Sequence, residues 1–283
     1  MTGYAVVLDG KAADGDGAPG SQRAMVWDLD EVVPASWTQN GYTNEVTFKT
    51  GTPGVTSANT PCAVYGSTAA DGTKEFRVSG GVDLQSGAWT VSAHPSSGVF
   101  PAMTPASAKT TGMGAYRLIA KSGGNFIIGT NARIHADGKG LPAHTGPGVA
   151  SYTTAAHGGM GGFGSAAQPP CYGSVYRPVC LGSGSGAGYY SGGAVRIESQ
   201  GELKVNGTVS ASSVTNTETR ASSGGSVLLV GDSISGSGTV IARGGASGWS
   251  YAAGGGGRVA LIQTGAARDF SRWTGTATAP GGP

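Results

Sequence analysis

The residues that could do chemistry in this chain are a set of aromatic rings, a pair of cysteines and a few scattered carboxylates. Tyr172, Tyr176, Tyr189 and Tyr190 fall in one Gly-rich stretch, and Trp249 and Tyr251 in another. Flat rings with a polar edge can stack on sugar faces or anchor a partner protein, so these six form the candidate ligand face for a glycan or a surface protein. They can equally pack down on a wall of strands and shield its edges. Cys171 and Cys180 bracket a short Tyr- and Pro-containing loop. A disulfide across so short a loop would stabilise the fold by about 2–3 kcal/mol, and that pairing is expected. Zinc would need two more ligands at matching spacing, and the chain has no CxxC. Cys62 is then left as a buried thiol, and the cysteine usage leans towards an extracellular setting.

The carboxylates are sparse. Asp14 and Asp16 alternate with glycines and could share a calcium ion, since hard cations take oxygen ligands. No EF-hand or nonapeptide array follows them, so a plain turn is the expected reading. Asp28, Asp30 and Glu31 beside Trp27 read as a solvated loop. Hydrolysis of a glycosidic bond needs two carboxylates about 5–10 Å apart on one wall. Outward positions of the regular part are mostly Ser, Thr, Gly and Asn, with Glu198, Glu202, Lys204 and Asp232 standing alone. Glu198 aligns with Val230 and Gln263, so no acidic ladder is expected. Gly231-Asp232-Ser233 resembles the start of an esterase nucleophile block, but it falls where a turn is needed. Gly159 to Gly164 fits GxGxxG with no strand leading in and no helix following, which argues against a dinucleotide site. His94, His135, His144 and His157 are scattered and expected at the surface. Asn206-Gly207-Thr208 is a glycosylation sequon, and its Asn-Gly pair is equally what a tight turn demands.

The elements that would carry these residues are set by a repeat. Gly192-Gly193, Gly224-Gly225 and Gly256-Gly257 open three copies of one pattern 32 residues apart, with Val195 and Ile197 aligning with Val227 and Leu229 and then with Val259 and Leu261. The second copy is one residue shorter in its middle, so Leu203 maps onto Ile234, Val209 onto Val240 and Ala211 onto Ala242 at a spacing of 31. Each copy offers three short alternating segments separated by turn residues, the period-two signature of half-buried strands. Three strands and a Gly-rich excursion per copy predict one coil of a parallel β-helix, or β-solenoid, in which equivalent valines stack about 4.8 Å apart. An antiparallel sandwich or barrel would give no reason for a 32-residue register. Degenerate copies extend the pattern upstream. Phe76-Arg77-Val78 and Val91-Ser92-Ala93 stand for Val195 and Val209, Gly114 to Leu118 parallels Gly193 to Ile197, Phe126 and Ile128 parallel Leu203 and Val205, and Ile134-His135-Ala136 parallels Val209-Ser210-Ala211.

The expected organisation is an irregular N-terminal β cap or the end of a preceding domain over 1–74, then the β-solenoid over 75–283 with a long loop insertion at 137–191. Loops leaving such a wall are where function is expected. With 53 glycines, 12% charged residues and little Leu, long helices are excluded, and the lack of a Gly-X-Y period excludes collagen. A formal charge of +2 with no Lys/Arg block argues against nucleic acid. No apolar run of 18 residues suggests membrane insertion. Met1-Thr2-Gly3 does not open a signal peptide, so an extracellular destination implies an excised or mature segment.

The succession HGGMGGFG, YGSVYRPVCLGSGSG, GGAVRIESQGELKVNGTVSA, GGSVLLVGDSISGSGTVIARGG and GGGGRVALI, over roughly residues 114–264, resembles the glycine-rich repeats of very large, adhesin-like cell-surface proteins. That resemblance implies a parallel β-helix at the cell surface and no catalytic motif; the cysteines depart from its bacterial form. The expected function is a non-enzymatic stalk or adhesive module of a larger surface or fibre protein. A polysaccharide-active or tailspike-like glycan-binding β-helix, and a filament subunit that associates end to end, are the alternatives. No cofactor is expected beyond a possible calcium ion.

Overall fold

Alternating Val, Ile and Leu positions dictate strands that turn one face inward, and the computed structural model places them so. It describes residues 45–48, 61–63, 74–78, 81–90, 117–149, 154–162, 169–185, 190–214, 220–246, 253–266 and 269–283. Among these the regular elements are β1 (Glu45–Phe48), β2 (Pro61–Ala63), β3 (Lys74–Val78), β4 (Gly81–Thr90), β5 (Arg117–Ser122), β6 (Phe126–His135) and β7 (Ala194–Ser199). There follow β8 (Glu202–Val205), β9 (Thr208–Ser210), β10 (Ser226–Gly231), β11 (Ser233–Ser235), β12 (Thr239–Ile241), β13 (Arg258–Gln263) and β14 (Thr276–Thr278). One turn of 3-10 helix, Phe270–Arg272, precedes β14.

The chain is all-β, and the strands pair in parallel. One sheet has the order β13-β10-β7-β5-β3; the other runs β1-β4-β6-β9-β12-β14, with β2 beside β4 and with β8 joining β6 to β11. β10 lies between β7 and β13 with Val227 opposite Val195 and Val259, and Leu229 opposite Ile197 and Leu261. The 31-residue spacing is kept on the other sheet, where Leu203 pairs with Ile234 and Val209 with Val240. Phe126 and Ile128 pair with Leu203 and Val205, and Ile134 with Val209, as the alignment predicts.

Three upstream equivalences differ from the sequence alignment by two residues. Leu118, not Tyr116, lies opposite Val195, and Ala120 opposite Ile197. Phe76 pairs with Ala120 and so belongs with Ile197, and Trp89 rather than Val91 pairs with Ile134. The reason is turn length: eight residues separate Val195 from Leu203, and eight separate Leu118 from Phe126. A slip of two preserves which side chains point inward, so apolar alternation alone cannot detect it. Glu198 likewise aligns with Val230 and then Ile262, whereas Gln263 aligns with Gly231. Within 1–74, Glu45–Phe48 pairs with Gly81–Leu84 and Pro61–Ala63 with Ala88–Thr90. The other runs of that segment, and Cys62's thiol, lie outside what is described.

Inward side chains of both sheets make one core, including Val195, Ile197, Val227 and Leu229 on one side and Phe126, Ile134, Leu203 and Val209 on the other. Burying each such side chain fully stabilises by about 1.5–3 kcal/mol. Trp89 meets Phe126 edge-on with centroids 6.0 Å apart. The middle of the five-stranded sheet is buried on its outer face as well: every residue of β7 and β10 is buried. Val179 packs there on Leu228 and Val230, and Leu141, Tyr172, Cys180 and Leu181 pack with Ala194. The segment expected as a loop insertion thus forms a covering layer, in keeping with the rule that parallel sheets are covered on both faces.

Glycines and alanines meet where each pass begins. The amides of Gly193, Gly225 and Gly257 donate to the carbonyls of Ala136, Ala211 and Ala242, each at 2.8 Å. A methyl group on Gly193 would come within 2.8 Å of the Ala136 Cβ, and one on Gly257 within 2.9 Å of the Ala242 Cβ. On Gly225 it would run into the backbone of Gly192 and Gly193. Gly225→Ala is therefore expected to lower stability by about 1–3 kcal/mol through forced backbone separation. Gly159→Ala, whose new methyl would have Gly256 N at 3.6 Å as its nearest neighbour, should change it by less than about 0.5 kcal/mol. Urea midpoints of the two variants check this.

Candidate functional site

The covering layer brings together a buried polar cluster around His157 and Tyr172. His157 is fully buried, its ring tilted 33° against that of Tyr172 at a centroid distance of 4.6 Å. Its Nδ1 lies 2.8 Å from the Gly224 carbonyl oxygen. A carbonyl only accepts, so Nδ1 carries the proton and Nε2 keeps a lone pair. That Nε2 is buried with no hydrogen-bond partner. Burial is the main reason the imidazole pKa falls to about 4, with the Arg258 guanidinium lowering it further and the Gly224 and Gly225 carbonyls opposing. Tyr172 donates its hydroxyl proton to the Leu181 carbonyl at 2.7 Å and accepts from Ser183 at 2.8 Å. Burial raises its pKa well above 10. Arg258 Nε donates to the Tyr172 carbonyl at 2.9 Å, tying the layer to β13.

Tyr172, expected on a ligand face, is instead a packing and hydrogen-bonding group of this layer. Tyr176 is 68% exposed beside Val175 at 60%, and Tyr190 is half-buried. Tyr189, Trp249 and Tyr251 lie outside the described residues, as do His94 and the calcium candidates Asp14 and Asp16. The structure draws no bond between the cysteine sulfurs: Cys171 is exposed and Cys180 buried. Cys180 is drawn into the apolar cluster with Leu141 and Tyr172, whereas Cys171 is exposed to solvent; closeness in sequence does not by itself supply the geometry a disulfide needs.

The carboxylates are engaged. Glu198, read as an outward side chain, is 2% exposed, with Arg196 bound to one oxygen and the Lys121 ammonium 3.5 Å from the other. Covering the sheet buried these three together, and register explains why they meet, since Lys121 pairs with Glu198 across β5 and β7. A buried pair of this kind is a poor candidate for acid chemistry and, if one partner is removed, strongly destabilising. Glu202 accepts from Arg272 at 2.5 Å and from Ser235 at 2.6 Å. Asp137 accepts from Arg133, from Ser210 Oγ at 2.8 Å and from Ser212 N at 2.6 Å. Beside it, burial and the Arg133 charge bring the His135 pKa down to about 4. His144 is exposed, as expected. Asp232 occupies the turn between β10 and β11, and Asn206-Gly207 the turn between β8 and β9, as expected. No three His, Cys, Asp or Glu side chains that could hold a metal ion gather among the described residues.

His157 and Lys121 were not legible as buried groups: neither shows in the apolar period, because their burial comes from the covering layer closing on the sheet and not from strand alternation. No helix among the described residues is long and apolar enough to cross a membrane. Comparison with known protein families, with curated proteins and with solved structures finds no match to this chain.

The imidazoles of fully buried His157 and half-buried His135 carry a pH consequence. The unfolded chain takes up their protons near pH 6.5 and the fold only near 4, so stability is constant above 6.5 and is lost as the pH falls from 6.5 to 4. For fully buried His157 the full loss is on the order of 3 kcal/mol. The unfolding midpoint should fall across that window in the wild type and less steeply in His157→Phe, which retains only the contribution of His135; equal slopes would contradict the assignment.

Proposed function

We propose that the chain is a parallel β-solenoid serving as a rigid, non-enzymatic module, a stalk or adhesive segment, of a larger extracellular surface or fibre protein. The observation that carries this reading is the parallel register of equivalent strands one copy apart, Val195 to Val227 to Val259 on one sheet and Val209 to Val240 on the other. Such an array grows by adding copies, each resting only on its neighbours. The likeness to glycine-rich surface repeats supports the same location. The engagement of Glu198 and Glu202 with basic partners is what a load-bearing wall needs, and it weighs against a pair of working carboxylates. Among the described residues of the candidate adhesive face, Tyr176 is exposed, beside exposed Val175.

A second reading, end-to-end association, is favoured by β13: among the described residues it pairs only with β10, its residues are all half-buried, and an edge strand offers backbone groups to another strand.

Duplicating residues 225–256 in place should yield a folded protein one copy longer, with length increased by about 4.8 Å and no loss of thermal stability. A duplicated chain that fails to fold would count against the solenoid. Incubated with a panel of polysaccharides, the chain should release no reducing ends; release abolished by Glu202→Gln would replace the passive reading by an enzymatic one.

A further inference from the structure

Residues 137–191 leave the end of β6 and return at the start of β7, and the main core takes no side chain from them. The layer they form can therefore come away without parting any pair of named strands. Its apolar seal is Val179 on Leu228 and Val230, and Leu141, Tyr172, Cys180 and Leu181 with Ala194. Among its polar ties, Ser226 Oγ donates to the Cys180 carbonyl at 2.7 Å and Arg258 Nε to the Tyr172 carbonyl at 2.9 Å. The Gly158 and Gly159 amides donate to the Gly256 carbonyl at 2.9 and 3.0 Å. His157 stands among these ties, with Nδ1–H on the Gly224 carbonyl and its ring against Tyr172.

A neutral imidazole fits this place and an imidazolium does not. The added proton would sit on Nε2, which is buried and meets no hydrogen-bond partner among the described residues. An unpaired buried donor and a buried charge both disfavour the closed layer. The groups packed round the ring supply no counter-charge. Arg258, from β13, is a cation; Tyr172, from the adjoining segment, is kept protonated by burial. That segment also holds the Cys180 thiol and a second buried cation, Arg177. From the start of the β10 pass only the Gly224 and Gly225 carbonyls favour the charged ring. No ion pair joins His157 to a carboxylate among the described residues.

We propose that the covering layer is an acid-released latch: protonation of His157 frees it from the five-stranded sheet, unmasking the Cys180 thiol and the outer face of β10 while the two-sheet core stays folded. With the layer open the ring takes its proton near pH 6.5, and with it closed only near 4. The open form therefore gains about tenfold on the closed one for each pH unit of acidification between those values, and nothing above 6.5.

The test uses the full chain with Cys180 as its one thiol (Cys62→Ser, Cys171→Ser) and dithiodipyridine, a reagent that attacks thiols in acid. Each rate is divided by that of the same thiol in the urea-unfolded chain. From pH 6.5 towards 4 this ratio should rise about tenfold per unit, while the Val227 and Leu229 amides keep their protection from hydrogen exchange. His157→Phe should lose most of the rise. A ratio independent of pH, an equal rise in His157→Phe, or β10 amides that open in step with the thiol would overturn the latch. Should that variant misfold, the His157 ring signal in the NMR spectrum of the parent chain decides. Titration of the ring in step with the thiol supports the latch, and titration without unmasking overturns it.

Discussion

Backbone pressed against backbone at Gly193, Gly225 and Gly257 is the constraint on which the remaining structure depends. The amides there bond the carbonyls of Ala136, Ala211 and Ala242, and those alanines are themselves fully buried. No side chain larger than a hydrogen atom fits on one side of this contact, and only a methyl group is present on the other. Because the contact recurs at each pass, the strand that follows always starts at the same height, and the register of Val195, Val227 and Val259 follows from it. Hydrophobic burial then stabilises what the corner has positioned; it does not choose the register unaided, since a slip by two residues would bury the same faces.

That division explains which parts of the architecture were legible in the sequence. The glycine pairs and the alternating apolar residues are local signals, and they gave the strands, their parallel order and the pairing of the three regular copies. Upstream, where Tyr116 and Leu118 are both apolar at alternate positions, alternation fitted two registers, and only the eight-residue path from Leu118 to Phe126 separates them. The covering layer was far less legible. Nothing in the local pattern of Ala194 to Ser199 says that both faces of that strand are buried, and so Glu198 reads as outward when it is enclosed with Arg196 and Lys121. The same layer turns Tyr172 from a candidate ligand group into an internal hydrogen-bonding group, and places Cys180 in an apolar cluster away from exposed Cys171.

The two faces of the molecule thus differ in kind. One sheet is sealed under a layer whose polar atoms, from Ser183 to Arg258, are largely bound within it; the other presents short strands rich in Thr and Ser, with Thr208, Thr239 and Thr276 in register. A wall stiffened on one side and bland on the other is what the proposed stalk role would use. A polar exception in it is the buried imidazole of His157, whose Nε2 has no hydrogen-bond partner.

The central claim, that equivalent residues of successive copies lie directly over one another in parallel, is tested most directly by interstrand backbone contacts in the NMR spectrum of the isotope-labelled chain. Proton cross-peaks should connect the Val227–Leu228 region to both Val195–Arg196 and Val259–Ala260, in the parallel pattern. Cross-peaks of the antiparallel kind, or contacts of Val227 with only one of the two neighbours, would contradict it.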